Sequence, residues 1–373
     1  EITEYIQGLP LARERGIHSN WSTNEKTAME EALGMSFAGK RALVCMKHVG
    51  MNVAADAFVN SAMTGANGGL MVVAADDPSM HSSQNEQDSR FYGKFALVPV
   101  FEPSCQQETY EMTGYGFDLS ERFRIPVLMR LTTRMAHSRA VVETRDAKTQ
   151  NEKSYPAEAR QWVLMPGNSR ARYKVLIEDY RKLEEEAASS RFNRLSDGPD
   201  KSMGIIACGI AYNYLMENFP DGCPYPVLKI SQYPLPTALV KRLAAECESL
   251  LVIEEGQPMV EEMIRGILGT PIPIKGRLSG ELPRTGELNP DCVREALGLE
   301  AHARHDASEL VVPRPPALCM GCGHRDMYKA LTEVVREYPD SKVFSDIGCY
   351  TLGWLAPFHA IDTCVDMGAS ITM

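Results

Sequence analysis

Short apolar runs alternate with helix-length segments along the whole chain, and this alternation constrains the fold more than any other feature. The runs at 41–46, 70–75 and 126–130 lie among segments such as Glu25–Phe37 and Gln106–Phe123. A strand that is apolar on both faces must be covered on both faces, and helices are the usual cover. The pattern predicts an α/β protein of parallel sheets flanked by helices. Ligands would then gather at the C-terminal ends of the strands.

At 373 residues the chain is long enough for two or three domains. The first reads as 1–145. From 139 to 201 charge rises, and the run Leu183-Glu184-Glu185-Glu186-Ala187-Ala188 reads as an exposed connecting helix, which suggests a helical linker over 146–201. A second unit, 202–288, repeats strand and helix: strands at 204–209, Val227–Ile230 and 250–254, and helices at 212–218, 236–246 and 259–268. Its tail, 269–290, is rich in Pro and Gly and reads as a linker. His302 and His305 follow on a polar segment and read as surface histidines. A third unit, 289–373, has a helix expected over 325–338 and a strand over 342–346. The chain starts in what reads as helix at Glu1 and stops at Met373 where a further helix is expected, so a fragment lacking both termini is the expectation.

A net charge of -10 argues against a nucleic-acid binder, since phosphate contacts need basic surface. No apolar run is long enough to span a bilayer and no leader is evident, so a cytoplasmic location is expected. The ten cysteines lack the regular spacing of a secreted disulfide framework. Cys45 and Cys208, inside apolar runs, read as small buried hydrophobes. No Gly-x-Gly-x-x-Gly follows a strand, which disfavours a dinucleotide site.

Three regions carry potential chemistry. Ser22-x-x-Glu25 fits a capping box, in which Glu25 reaches back to a helix-start N–H. It also fits a carboxylate at a helix start that shares a proton with a cofactor nitrogen. The stretch from Asp76 to Arg90 is a long polar loop directly after an apolar strand; His81 could transfer protons and Arg90 could clamp a carboxylate, or both could simply hold the loop. Near the C-terminus, Cys319-x-x-Cys322 with His324, Gly348-Cys349 and Gly368-Ala369-Ser370 places thiols beside glycines that let backbone N–H groups approach an anion. Cys319, Cys322 and Cys349 could bind an iron–sulfur cluster, could join Cys364 or His324 around zinc, or could be a redox dithiol or ordinary packed cysteines.

The runs Trp21 to Lys26, Met46 to Val53, His81 to Gln84, Glu86 to Arg90, Gly209 to Tyr214, Leu318 to Arg325, Asp346 to Gly353 and Met367 to Ile371 resemble the thiamine-diphosphate-dependent 2-oxoacid:ferredoxin oxidoreductases, in particular their indolepyruvate branch. The resemblance covers essentially the whole chain. It implies a pyrimidine-binding domain, a transketolase-C-like domain and the start of a diphosphate-binding domain. It also implies oxidative decarboxylation of aryl pyruvates with coenzyme A, giving an aryl-acetyl-CoA, carbon dioxide and reduced ferredoxin, with a beta subunit as partner. By the same resemblance Glu25 is the carboxylate that bonds the aminopyrimidine and so promotes loss of the thiazolium C2 proton. Gly50, Gly323, His324, Gly348, Cys349, Gly368, Ala369 and Ser370 are implied at the cofactor, and Cys319, Cys322 and Cys349 as ligands of a [4Fe-4S] cluster.

Two departures stand out. Related pyruvate enzymes carry an arginine for the substrate carboxylate just after the strand ending here at Ala75, where this chain reads Asp76-Asp77. An acidic pair would repel a carboxylate, so His81 or Arg90 is expected in that role. The family's magnesium motif, expected soon after Ile371, is not in the sequence, nor is its ferredoxin-like cluster domain; the chain as written is therefore expected to be inactive alone. The alternatives are a sister oxidoreductase with another 2-oxoacid, or a non-catalytic subunit with a decayed site.

Overall fold

The computed structural model describes residues 2–364 except 158, 269–270, 303–307, 313–315, 342 and 346–347. It falls into two units, 1–302 and 303–373.

The first unit is built on two five-stranded sheets. Sheet one runs β1 (Ala42–Lys47), β2 (Leu70–Asp76), β4 (Val127–Thr132), β3 (Val100–Phe101) and β8 (Gln232–Tyr233). Its strands are parallel except where β8 pairs antiparallel with β3. Sheet two runs β10 (Ile274–Lys275), β9 (Leu250–Ile253), β6 (Gly204–Cys208), β7 (Val227–Ile230) and β5 (Arg194–Ser196), parallel apart from β5 against β7. The central strands β2, β6, β7 and β9 are almost wholly buried, as their mainly apolar composition requires, with Lys229 in β7 and Asp76 at the end of β2 as buried polar exceptions. The parallel α/β class expected from the sequence is the observed one.

Three readings change. The segment 269–290 is not all linker, because β10 lies within it and closes the edge of sheet two. The run from Leu183 belongs to the long helix Pro166–Ser189, whose Leu176, Leu183 and Ala187 are buried. Spacings of seven and four bring those three side chains onto one helical face, so the helix packs rather than bridging solvent. Finally, β8 leaves its sequence neighbours in sheet two to join sheet one. Two residues are too short a strand to announce a sheet from sequence.

The second unit contains the helix Gly323–Val335, a short helical turn Cys349–Trp354 and a parallel pair of two-residue strands, Phe344–Ser345 and Thr363–Cys364. Its small core gathers Leu318, Tyr328, Ala360 and Ile361. Gly353 is required there, since a Cβ would stand 2.4 Å from the Tyr328 ring. His305 and the cofactor candidates Gly368, Ala369 and Ser370 lie outside the described residues.

Candidate active site

Glu25 opens the helix Glu25–Phe37. The cap is Asn24, extended in backbone, whose side-chain Oδ1 receives the Thr27 N–H at 3.0 Å. The expected capping box is therefore corrected: Glu25 occupies the first helical position, not the third, and Ser22 Oγ donates to Glu31 Oε2 at 3.0 Å instead. A box needs its acid three residues beyond the cap, and the cap fell two residues later than the Ser-x-x-Glu spacing implied. Among the described residues the Glu25 carboxylate, half-buried, takes no hydrogen bond or ion pair. It sits at the positive end of the helix dipole, which favours a carboxylate there.

Gly50 faces it from the first turn of the helix His48–Thr64. A Cβ on Gly50 would lie 2.6 Å from Glu25 Cγ and 3.0 Å from Oε1. The structure thus brings together two of the predicted cofactor residues, at an approach that only glycine permits. The same turn carries buried His48, whose ring nitrogens meet the Ala75 carbonyl at 3.2 Å and the Asn85 carbonyl at 3.1 Å. Lys47 Nζ donates to the Ser82 carbonyl at 2.6 Å. The turn that packs on Glu25 therefore also holds the polar loop after β2.

That loop is fixed by its own acids. Asp77 accepts from His81 N, Ser82 N, Ser83 Oγ and Thr133 Oγ1 at 2.7–3.2 Å. Burial pushes its carboxyl up, but the bonds from Thr133, Ser82, Ser83 and His81 outweigh burial and hold it below its ordinary value. Ser79 and Met80 both adopt left-handed backbone, with φ of 69° and 55°. Glu86 Oε2 receives the Ser79 N–H at 2.9 Å and the Asp77 carbonyl receives that of Met80 at 3.0 Å. These bonds stabilise a conformation that costs a residue with a side chain on the order of 1–2 kcal/mol.

Asp76 and Arg90 are placed differently from expectation. Arg90 is fully buried; its guanidinium reaches Asp88 Oδ2 at 2.5 Å, Glu254 Oε2 at 2.9 Å and the carbonyls of Glu255 and Gln257 at 3.0 and 2.9 Å. A substrate clamp needs a reachable guanidinium with free donors, so the expected clamp role of Arg90 is corrected to that of a buried tie between the sheets. Asp76 is likewise buried, accepting from Ser89 N at 2.9 Å and Arg130 Nε at 2.5 Å. The acidic pair thus spends its charge inside the protein, which removes the argument that it repels a substrate. Burial raises the Asp76 carboxyl, partly offset by Arg130. His81 is exposed, with Nε2 3.6 Å from Glu287 Oε2. The sequence reading missed Asp77, His48, Arg130 and Glu254-Glu255; the only signal was acids and bases at the ends of apolar strands.

In the second unit Cys322 caps the helix Gly323–Val335, and its Sγ lies 3.2 Å from His324 Nδ1. The His324 ring packs edge-on against Tyr350, with centroids 4.6 Å apart. Cys319 and Cys349 are exposed. Gly348 has φ of 144°, so a glycine is needed there, whereas a Cβ on Gly323 would meet open space. Among the described residues no three His, Cys, Asp or Glu side chains are grouped to hold a metal. The expected ligands Cys319, Cys322 and Cys349 are accordingly not grouped as a metal site among the described residues. Elsewhere, burial pushes the Cys45 thiol up to about 11 and raises that of Cys208 well above its ordinary value, as expected of packed cysteines. His302 is exposed beside Asp291. No helix among the described residues is long and apolar enough to cross a membrane.

Residues 11–196, which carry Glu25, Gly50 and the polar loop, match the family "Pyruvate flavodoxin/ferredoxin oxidoreductase, thiamine diP-bdg". This part of the chain belongs to that thiamine-diphosphate-binding family. Over almost the whole chain, relatives named indolepyruvate oxidoreductase subunit IorA align: that of Methanothermobacter marburgensis is 40% identical over 376 residues, covering 97% of this chain and 61% of the relative. That of Archaeoglobus fulgidus is 40% identical over 370 residues, covering 95% of this chain and 59% of the relative. The chain thus spans about three fifths of the length of these relatives. A 2-oxoglutarate:ferredoxin oxidoreductase from Magnetococcus marinus shares the fold at 14% identity, with a TM-score of 0.58 over 77% of this chain and 57% of that one.

Proposed function

We propose that the chain is part of the catalytic subunit of a thiamine-diphosphate-dependent oxidoreductase that decarboxylates an aryl 2-oxoacid of the indolepyruvate class. Coenzyme A would take the acyl group and ferredoxin the electrons, with a beta subunit as partner and a cytoplasmic location. Supporting this reading are the names of the relatives, 38–40% identical to this chain, and the family of residues 11–196. The single observation that carries it is the unengaged Glu25 carboxylate packed against Gly50.

That pair suits the pyrimidine end of thiamine diphosphate: a free acceptor beside a backbone with no Cβ. When bound, the cofactor supplies the electron sink for decarboxylation. Glu25 would hold a proton shared with a ring nitrogen, and Gly50 would fix the position of its carboxylate. Lys47 and His48 hold the loop that presents His81. We read 1–145 as the pyrimidine-binding domain, 146–201 as linker, 202–288 as transketolase-C-like and 289–373 as the start of the diphosphate-binding domain. In that last segment Gly323, His324, Gly348 and Cys349 are our candidates for cofactor contact. For the diphosphate and Mg2+, the expected Gly368, Ala369 and Ser370 lie outside the described residues. Cys319, Cys322 and Cys349 are our candidate thiolates for a [4Fe-4S] cluster, although among the described residues they are not grouped as a metal site.

The test compares wild type and Glu25→Gln in the intact subunit with its partner. Both are titrated with thiamine diphosphate and Mg2+ and assayed for indolepyruvate-dependent viologen reduction. Cofactor-dependent activity that collapses in the variant supports the reading. No cofactor binding, or full activity in the variant, overturns it.

A further inference from the structure

At the C-terminal ends of β6 and β9, where sheet two would offer a ligand crevice, Glu102 stands against Gly209 and Arg90 and Arg130 stand against the turn after β9. Arg90 and Arg130 both donate to the Glu255 carbonyl, at 3.0 and 3.1 Å, so the turn after β9 is seated in a socket of two guanidinium groups. Gly256, with φ of 83°, lets it sit: a Cβ there would lie 2.8 Å from Arg130 Nη2 and 2.9 Å from Asp88 Oδ2. The charges of the socket do not balance. Five buried carboxyls, Asp76, Asp88, Glu102, Glu254 and Glu255, meet three buried arginines, Arg90, Arg130 and Arg277. Full ionisation would leave two uncompensated negative charges away from water, which costs far more than keeping protons.

The hydrogen bonds show where a proton is most easily kept. Asp76 receives Arg130 and the Ser89 N–H, Asp88 receives Arg90 and the N–H groups of Arg90 and Gln257, and Glu102 receives Arg130 and the Tyr233 hydroxyl. Glu254 receives Arg90 and the N–H groups of Val260 and Glu261. Glu255 differs. Its Oε1 takes the Leu288 N–H at 3.1 Å, but its buried Oε2 accepts no hydrogen bond, and the nearest cation, Arg277 Nη2, stands off at 3.5 Å. The other groups facing it are Arg130, Arg134, Glu287 and the Tyr214 hydroxyl.

We propose that this cluster is a proton-held latch between the two sheets, in which Glu255 keeps a proton while the turn is seated and loosens the turn on ionising. The balance of effects on Glu255 agrees: burial pushes its carboxyl up to about 7 despite Arg277 and Arg130. The amides of Gln257, bonded to Asp88, and Leu288, bonded to Glu255, report on the seat.

Hydrogen exchange of those two amides in the intact protein, corrected for the chemical rate, tests the latch. Opening linked to one such proton should lower protection about tenfold between about pH 6 and about pH 8. Glu255→Gln, permanently neutral, should abolish that dependence. Equal pH dependence in both proteins would overturn the latch. Should the variant not fold, the wild-type Glu255 carboxyl 13C resonance decides: titration near neutrality supports the proposal, and titration in the ordinary carboxylate range overturns it.

Discussion

Glu25 and Gly50 are matched by a missing atom: a Cβ on Gly50 would stand 2.6 Å from Glu25 Cγ, closer than two carbons can approach. The carboxylate is therefore positioned by packing, and among the described residues it has no hydrogen-bonding partner.

Gly50→Ala must push Glu25 aside or shift its helix. Overpacking of this kind costs about 1–3 kcal/mol, measurable by urea unfolding. Thiamine diphosphate affinity should fall on the order of tenfold, equivalent to about 1.4 kcal/mol. Unchanged affinity would mean that the Glu25–Gly50 contact does not shape the cofactor site.

Glu25→Gln should leave stability within about 0.5 kcal/mol, since no folded-state partner is lost. Turnover of an aryl 2-oxoacid should fall on the order of a hundredfold or more, as for loss of a proton-transfer group. A large drop in melting temperature would instead assign Glu25 a structural role.

Asp77→Ala removes the acceptor of four donors, from His81, Ser82, Ser83 and Thr133, and so loosens the loop beyond the Ser79–Met80 turn. A stability loss of about 1–3 kcal/mol is expected. Proteolytic cleavage within the loop should accelerate; an uncut loop would show that Lys47 and His48 suffice to hold it.

Arg90→Ala strands Glu254 without its cation and leaves Asp88 with Arg130 alone, 3.5 Å away. Breaking a buried pair in this way typically costs about 3–5 kcal/mol, so the variant should be poorly folded. Were Arg90 a substrate clamp instead, the variant would fold normally and show only a raised KM.

The pH dependence of stability follows from opposite shifts. Burial pushes Asp88 up, but Arg130 and Arg90 outweigh it and hold the carboxyl at about 2. Its contribution is present above the ordinary unfolded value and is lost as pH falls towards 2. Glu255, raised to about 7, works the other way. The native state binds its proton more tightly than the unfolded one, so stability falls as pH rises from the unfolded value to about 7 and is then level. The whole difference is roughly 3 kcal/mol. Glu255→Gln should therefore be more stable than wild type above neutrality, read by thermal unfolding across pH.

The strand-and-helix alternation was legible because the central strands are mainly apolar runs, broken only by single residues such as Arg130 and Lys229, and hydrophobic periodicity reports burial directly. Glu25 and Gly50 were both identifiable from their motifs. Their contact was not, since it depends on two helices separated by a strand. Ser22-x-x-Glu25 misled because local spacing cannot tell which of two neighbouring cap-forming residues takes the helix end. Arg90 misled for a related reason: a lone arginine in a polar loop reads as available, and nothing local says that Asp88 and Glu254 will enclose it.

By itself, then, the sequence determined the class of fold, the order of its strands and helices, and the motif that places a carboxylate at a helix start. Those properties follow from local composition and periodicity. Tertiary structure alone decided which charges are spent internally and which stay free. Asp76, Arg90, Arg130, Glu254 and Glu255 come from four separate stretches of chain, and burial in a shared low-dielectric space compels them to pair or to keep protons. Among the described residues Glu25 meets no such partner, which is what makes its carboxylate the candidate for chemistry.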